Sequence, residues 1–178
     1  MRLKLKNLWT PLAVTIGILI FFEIVSSTLL PIVGIQNYRL PFHILIVLYL
    51  GFRLETPFLS ILILLLQYVH SLFSIEGWAI GTVAGVLICM LCSYLKELLD
   101  FSSNISTILL TLLFQGLWFL VQGVLLYLTM DDWGYVVEKF WRFVPESIVL
   151  SLLSPFIFGI LDFVWRSLNQ EGVLEDEI

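Results

Sequence analysis

Few side chains in this sequence could do chemistry, and most of them stand inside long apolar runs. Glu23 sits in Leu19-Ile-Phe-Phe-Glu-Ile-Val, with Ser26, Ser27 and Thr28 on the adjoining turn. A charge placed at membrane depth costs roughly 2.5–3.5 kcal/mol on the insertion scale, so any such residue is a candidate for proton handling, metal binding or helix anchoring. For Glu23 the polar neighbours favour a polar anchor between helices over a proton-binding carboxylate. His70 follows Gln67 by one helical turn and has Tyr68 and Ser71 beside it, the most polar stretch of its run. His43 and His70 are the two histidines of the chain. If successive helices alternate in direction, both lie toward the same side, which would allow a metal or proton site. With no HExxH pattern and no carboxylate on the same turn, an interhelical hydrogen bond is the expected role.

The remaining candidates have structural readings. Asp162 precedes Arg166 by four residues, the spacing of an ion pair on one helix face. Cys89 and Cys92 form a CxxC, but no second CxxC or histidine pair accompanies it, so two small buried residues are expected and not a redox or zinc centre. Gln115 and Gln122, seven apart, share a helix face, with Gly116 and Gly123 each one residue further on; this is a packing seam or a surface for a partner helix. Gly77, Gly81 and Gly85 form a GxxxGxxxG run, which lets two helix backbones approach closely. No nucleotide-binding loop, nucleophile with base, or paired catalytic carboxylates stand out. The chain therefore reads as a non-enzyme without metal or cofactor.

The elements that must position these residues are membrane helices. Of the 178 residues, 60% are hydrophobic and 13% charged, and the mean hydropathy is +1.01, far from the roughly 25% charge of a soluble domain. A helix crosses a bilayer in about 20 apolar residues, and breaks at Pro31/Gly34, Arg53–Pro57, Ser74–Gly77, Lys96–Asp100 and Asp131-Asp132 divide the chain into about six spans. The fold class is thus all-α and polytopic, a single membrane domain over 1–168. Its spans fall near 9–30, 41–54, 57–74, 77–96, 105–130 and 146–168. The second is short for a span, either drawn in by Arg53 or protected by neighbouring helices. Between spans five and six, Trp133, Val136, Val137, Phe140, Trp141 and Val144 recur at helical spacing, opposite Glu138, Lys139 and Arg142. That pattern predicts an amphipathic helix over 132–144 lying in the membrane interface.

Charge sets the orientation. With the N-terminus inside, Arg2, Lys4, Lys6, Arg53, Lys96 and Arg166 lie at cytoplasmic ends, against Arg39, Lys139 and Arg142 outside. This bias places both termini in the cytoplasm. The apolar run after the basic N-terminus has no cleavage site, so it is expected to stay as the first span. The net charge of -5 comes largely from Glu171, Glu175, Asp176 and Glu177 in an acidic tail over 169–178, and argues against nucleic-acid partners.

Beyond these features, Pro41-Phe-His-Ile-Leu-Ile-Val-Leu-Tyr-Leu-Gly-Phe-Arg, a tight turn, an apolar helix and His70-Ser-Leu-Phe-Ser-Ile-Glu-Gly-Trp-Ala-Ile-Gly-Thr resemble the rod shape-determining MreD family, as does the final span Leu152-Leu-Ser-Pro-Phe-Ile-Phe-Gly-Ile-Leu. The likeness touches about two thirds of the chain, through loose and mostly structural motifs. The family has an aspartate near the end of its third helix, where this chain has Val69 and His70. The resemblance implies a non-catalytic subunit of the bacterial cell-elongation complex in the inner membrane. It would bind MreC and, with it, the MreB filament and RodA with its transpeptidase, supporting peptidoglycan synthesis and cell shape. Gln115, Gln122, Trp133, Phe140 and Trp141 would then form partner surfaces. The rival is the substrate-binding S component of an ECF-type vitamin transporter, whose six-helix fold is alike. Against it, Leu12-Ala-Val-Thr-Ile-Gly-Ile-Leu lacks an AxxxAxxxA coupling motif, and the outer loops offer few convergent polar groups.

Overall fold

A computed structural model describes residues 9–32, 38–54, 58–74, 78–95, 103–130 and 132–174. They form six helices, α1 (Trp9–Ile32), α2 (Phe42–Arg53), α3 (Leu59–Ser71), α4 (Trp78–Leu95), α5 (Asn104–Met130) and α6 (Trp133–Leu174), and no strand occurs among them. Four helices, over Trp9–Thr28, Trp78–Leu95, Asn104–Thr129 and Trp133–Leu168, are long and apolar enough to cross a membrane. The chain is therefore all-α, with the make-up of a membrane protein. The expected start of the third span at residue 57 lies outside the described residues, as do Gly77, the basic N-terminal residues, Lys96 and the end of the acidic tail.

Helix α2 is the hub. Its 12 residues reach about 18 Å at 1.5 Å per residue, short of the roughly 30 Å of a hydrocarbon core. Every residue from Phe42 to Phe52 is buried, and α2 packs against all five other helices. A helix that is apolar all round belongs inside, so α2 is short because its neighbours shield it. Helix α3, at 13 residues, is equally short, but it keeps one face outward through Ile61, Leu64 and Tyr68.

The small-residue run of α4 serves internal packing. A Cβ at Gly81 would collide with the side-chain amide of Gln67 on α3, and one at Gly85 would come within 2.8 Å of Ile63 Cγ2 and 3.1 Å of the Trp118 ring. On α2, Gly51 makes room in the same way for Cys89, 2.8 Å from where its Cβ would lie. Cys89 and Cys92 are buried free thiols, and the Cys89 thiol points to the Val47 carbonyl at 3.5 Å.

The segment read as a separate interfacial helix is instead the first part of α6, which runs unbroken through Pro145 and Pro155 and on past residue 168. At 42 residues it reaches about 63 Å, twice what a bilayer requires. Part of its apolar stripe has a partner on α5, Val136 beside Gly123 and Phe140 beside Phe119, while Trp133, Val137 and Trp141 stay largely exposed. Helix α5, 27 residues long, also overshoots the core, and α5 and α6 form the most extensive pair in the bundle. Phe143 stacks on Phe119 at 4.9 Å, and Trp133 meets Tyr127 edge-on at 5.4 Å. Asp132 caps the start of α6 by accepting from the Gly134 and Tyr135 N–H groups at 2.9 and 3.3 Å.

Candidate functional site

The depth that α2 and α3 leave unfilled at one end of the bundle becomes a cavity of about 420 Å³. Three helices deliver its floor. On α1, Leu12, Thr15, Leu19, Glu23 and Ser26 are buried at spacings of three and four, so the stripe that packs inward also carries the carboxylate inward. His43 occupies the first turn of α2, and His70 the last turn of α3.

These residues meet. His70 Nδ1 lies 2.8 Å from Glu23 Oε1, a hydrogen bond between α3 and α1, which is the interhelical bond expected for His70. His43 Nδ1 is 3.9 Å from the same oxygen, and the two imidazoles stack with centroids 3.5 Å apart and planes 25° apart. The Trp118 ring presses edge-on against His43 at 6.0 Å. Glu23 and His43 are only 8% and 7% exposed, and the His43 Nδ1 atom is buried without a hydrogen-bond partner.

The walls come from the linker before α2 and from the long extensions of α5 and α6. The Arg39 N–H donates to Glu146 at 2.8 Å and its guanidinium donates to the Phe73 carbonyl at 3.0 Å, while the Leu40 N–H donates to Ser26 Oγ at 3.2 Å. These bonds tie the linker to α6, to the turn after α3 and to α1. Glu138, Lys139, Arg142 and Gln122 also face the cavity, and Arg142 pairs with Glu138 one turn away. The charged side of the 133–144 segment, assigned from sequence to solvent at the interface, thus lines a polar cavity. Convergent polar groups are therefore present at this end, contrary to the reading of the loops. Glu146 was not singled out in the sequence; its only signal was its place, one turn after Arg142 on the charged side of the same helix.

The other singled-out residues, Gln122 apart, separate from this site. Gln115 is fully buried and donates to Ser151 at 3.1 Å, one turn from a Thr111–Ser154 contact of 3.0 Å. Its face is the seam between α5 and α6 and not a surface open to another protein, because α6 already occupies it. Gln122, also buried, lines the cavity. Trp133 and Trp141 are 62% and 70% exposed, and Phe140 is 44% exposed, so the aromatic ridge stays outward. Gly81 and Gly85 close on α3 and α5, as above. Asp162 pairs with Arg53 at 3.0 Å and accepts from Tyr49 at 3.0 Å. This replaces the expected pairing with Arg166: the end of α2 lies beside Asp162 and offers two donors.

Compared with models of protein families, with curated proteins and with solved structures, the chain finds no match.

Proposed function

We propose that this chain is a non-catalytic membrane subunit of the bacterial cell-elongation complex, as its resemblance to the rod shape-determining MreD family implies, binding MreC and through it MreB and RodA with its transpeptidase. The observation that supports a helix-binding scaffold is an apolar groove between α5 and α6, about 610 Å³ in volume. Leu109, Leu113, Leu120 and Phe140 rim it, and Gly116 lies on its floor. An added Cβ at Gly116 would touch nothing within 4 Å, so a small residue stands where nothing among the described residues requires one. Small floor residues are what close approach of a partner helix requires in lipid, where dispersion and shape drive association. Trp141 meets Phe140 of the groove edge-on at 5.9 Å and is itself exposed, as is Trp133.

Gentle purification from the native membrane, followed by mass spectrometry of what accompanies the chain, tests the reading. MreC or RodA should be recovered, and Gly116→Phe or a combined Trp133→Ala, Phe140→Ala, Trp141→Ala variant should reduce that recovery. Undiminished recovery with both variants would remove the groove and ridge from the interface.

A second reading has its own support. The polar cavity bearing Glu23, His43, Arg39 and Lys139 has a volume within the range of small-molecule sites, as a vitamin-binding S component would need. A vitamin and an ATP-binding transporter module in the purified material would replace the scaffold reading with this one.

A further inference from the structure

We propose that Glu23, His43 and His70 form a binding site for a divalent transition-metal ion of the Zn²⁺ type. One ligating atom from each residue lies within 4.8 Å of the other two. The three come from α1, α2 and α3, so the bundle, and not a local turn, brings them together.

Geometry favours an ion over a hydrogen-bond network alone. Tetrahedral Zn²⁺ holds nitrogen and oxygen ligands at about 2.0–2.1 Å, which sets ligand atoms roughly 3.4 Å apart. The Glu23–His70 and Glu23–His43 separations of 2.8 and 3.9 Å bracket that figure. One must open and the other close by about half an ångström, with the two rings splaying from their stack. The cavity beside them leaves space for that rotation.

A hydrogen bond accounts for Glu23 and His70, but it leaves His43 unexplained. Its buried Nδ1 faces the shared carboxylate oxygen without a hydrogen bond, and a buried polar atom in that condition costs about 1–3 kcal/mol. A cation between the three residues would satisfy it, since a neutral imidazole nitrogen is a lone-pair donor.

Donor chemistry selects the ion. Two imidazoles and one carboxylate suit Zn²⁺ and its first-row neighbours, whereas Ca²⁺ and Mg²⁺ prefer all-oxygen shells. Three protein ligands beside a cavity leave a fourth position for water or another small ligand, the arrangement of an exchangeable site and not of a closed structural one. Glu23, Glu138 and Glu146 balance Arg39, Lys139 and Arg142 around the cavity, three carboxylates against three cations, so positive charge does not dominate the approach. The site stands whether or not the α5–α6 groove receives a partner.

The test uses the full-length chain in lipid nanodiscs, stripped with a chelator and titrated with Zn²⁺ by calorimetry, with Co²⁺ as the spectroscopic probe. The expected result is one equivalent of Zn²⁺ per chain and the visible absorption of four-coordinate Co²⁺. His43→Gln should weaken binding by more than about tenfold; it also gives up the ring contacts with His70 and Trp118, so its metal-free melting temperature is measured beside the binding. Glu23→Gln keeps an oxygen that can accept from His70 and should also lose affinity, so it serves if His43→Gln folds poorly. Failure of the wild-type chain to take up stoichiometric metal would overturn the proposal. So would Zn²⁺ binding undiminished in both variants, which would put the ion elsewhere, as on the acidic tail.

Discussion

Tyr49 donates a hydrogen bond of 3.0 Å to Asp162 across 113 positions of sequence, fastening the end of α2 to the far half of α6. Arg53 holds the other carboxylate oxygen at 3.0 Å. Tyr49 is 2% exposed, so removing Asp162 strands a buried hydroxyl, at a cost of about 1–3 kcal/mol. The Arg53 side chain is 44% exposed, and its share is about 0–1 kcal/mol. Thermal denaturation in detergent should therefore rank Asp162→Ala as the most destabilising, Tyr49→Phe next and Arg53→Ala least. Arg166→Ala should stay within about 0.5 kcal/mol of wild type. If Arg166→Ala costs as much as Asp162→Ala, the pairing across helices is wrong.

The glycines separate in the same assay. Gly85→Ala forces a methyl against Ile63 and Trp118, and overpacking of that kind costs about 1–3 kcal/mol. Gly116→Ala points into open space and should be neutral or slightly stabilising, since alanine is the better helix former by about 1 kcal/mol. Equal effects at the two positions would contradict the packing of α4 on α3.

Much of this architecture was legible in the sequence, and the exceptions have physical causes. Apolar run length revealed helices broken at polar turns, because membrane helices must satisfy their backbone internally. The GxxxG spacing indicated a contact without naming its partner, since spacing gives a face and not what lies across it. Hydrophobic periodicity over 133–144 predicted the helix, but neither its continuation into the rest of α6 nor the cavity that its charged side lines: a stripe tells how a helix is turned, not how far it runs or what lies across it. Asp162 shows the complementary limit. Local i,i+4 spacing suggested Arg166, while the actual partners, Tyr49 and Arg53, stand over a hundred positions away. The Glu23, His43 and His70 cluster was half visible. Each residue stood out as polar within an apolar run, but their convergence depends on how short α2 and α3 are.

The α5–α6 seam should show measurable coupling. Gln115→Leu and Ser151→Ala each remove one side of a buried 3.1 Å hydrogen bond. In membrane bundles such bonds contribute about 0.6 kcal/mol on average and up to about 1.7. A double-mutant cycle on unfolding in mixed micelles should return a coupling in that range. A value near zero would show that the two side chains do not act together.

The two ends of the bundle should face opposite sides of the membrane, and cysteine labelling can assign them. The sequence charge bias puts Arg53 and Arg166 inside, which would open the Glu23–His43–His70 cavity to the outside. Native Cys89 and Cys92 are 2% and 0% exposed, so a membrane-impermeant maleimide should leave them unlabelled. Tyr38 is 39% exposed in the linker before α2, and Ser167 is exposed near the other end of α6. In spheroplasts, Tyr38→Cys should be labelled directly and Ser167→Cys only after the membrane is permeabilised. The reverse pattern would turn the cavity toward the cytoplasm. Any metal ion or small ligand would then have to be drawn from inside the cell, and the positive-inside assignment would fail for this chain.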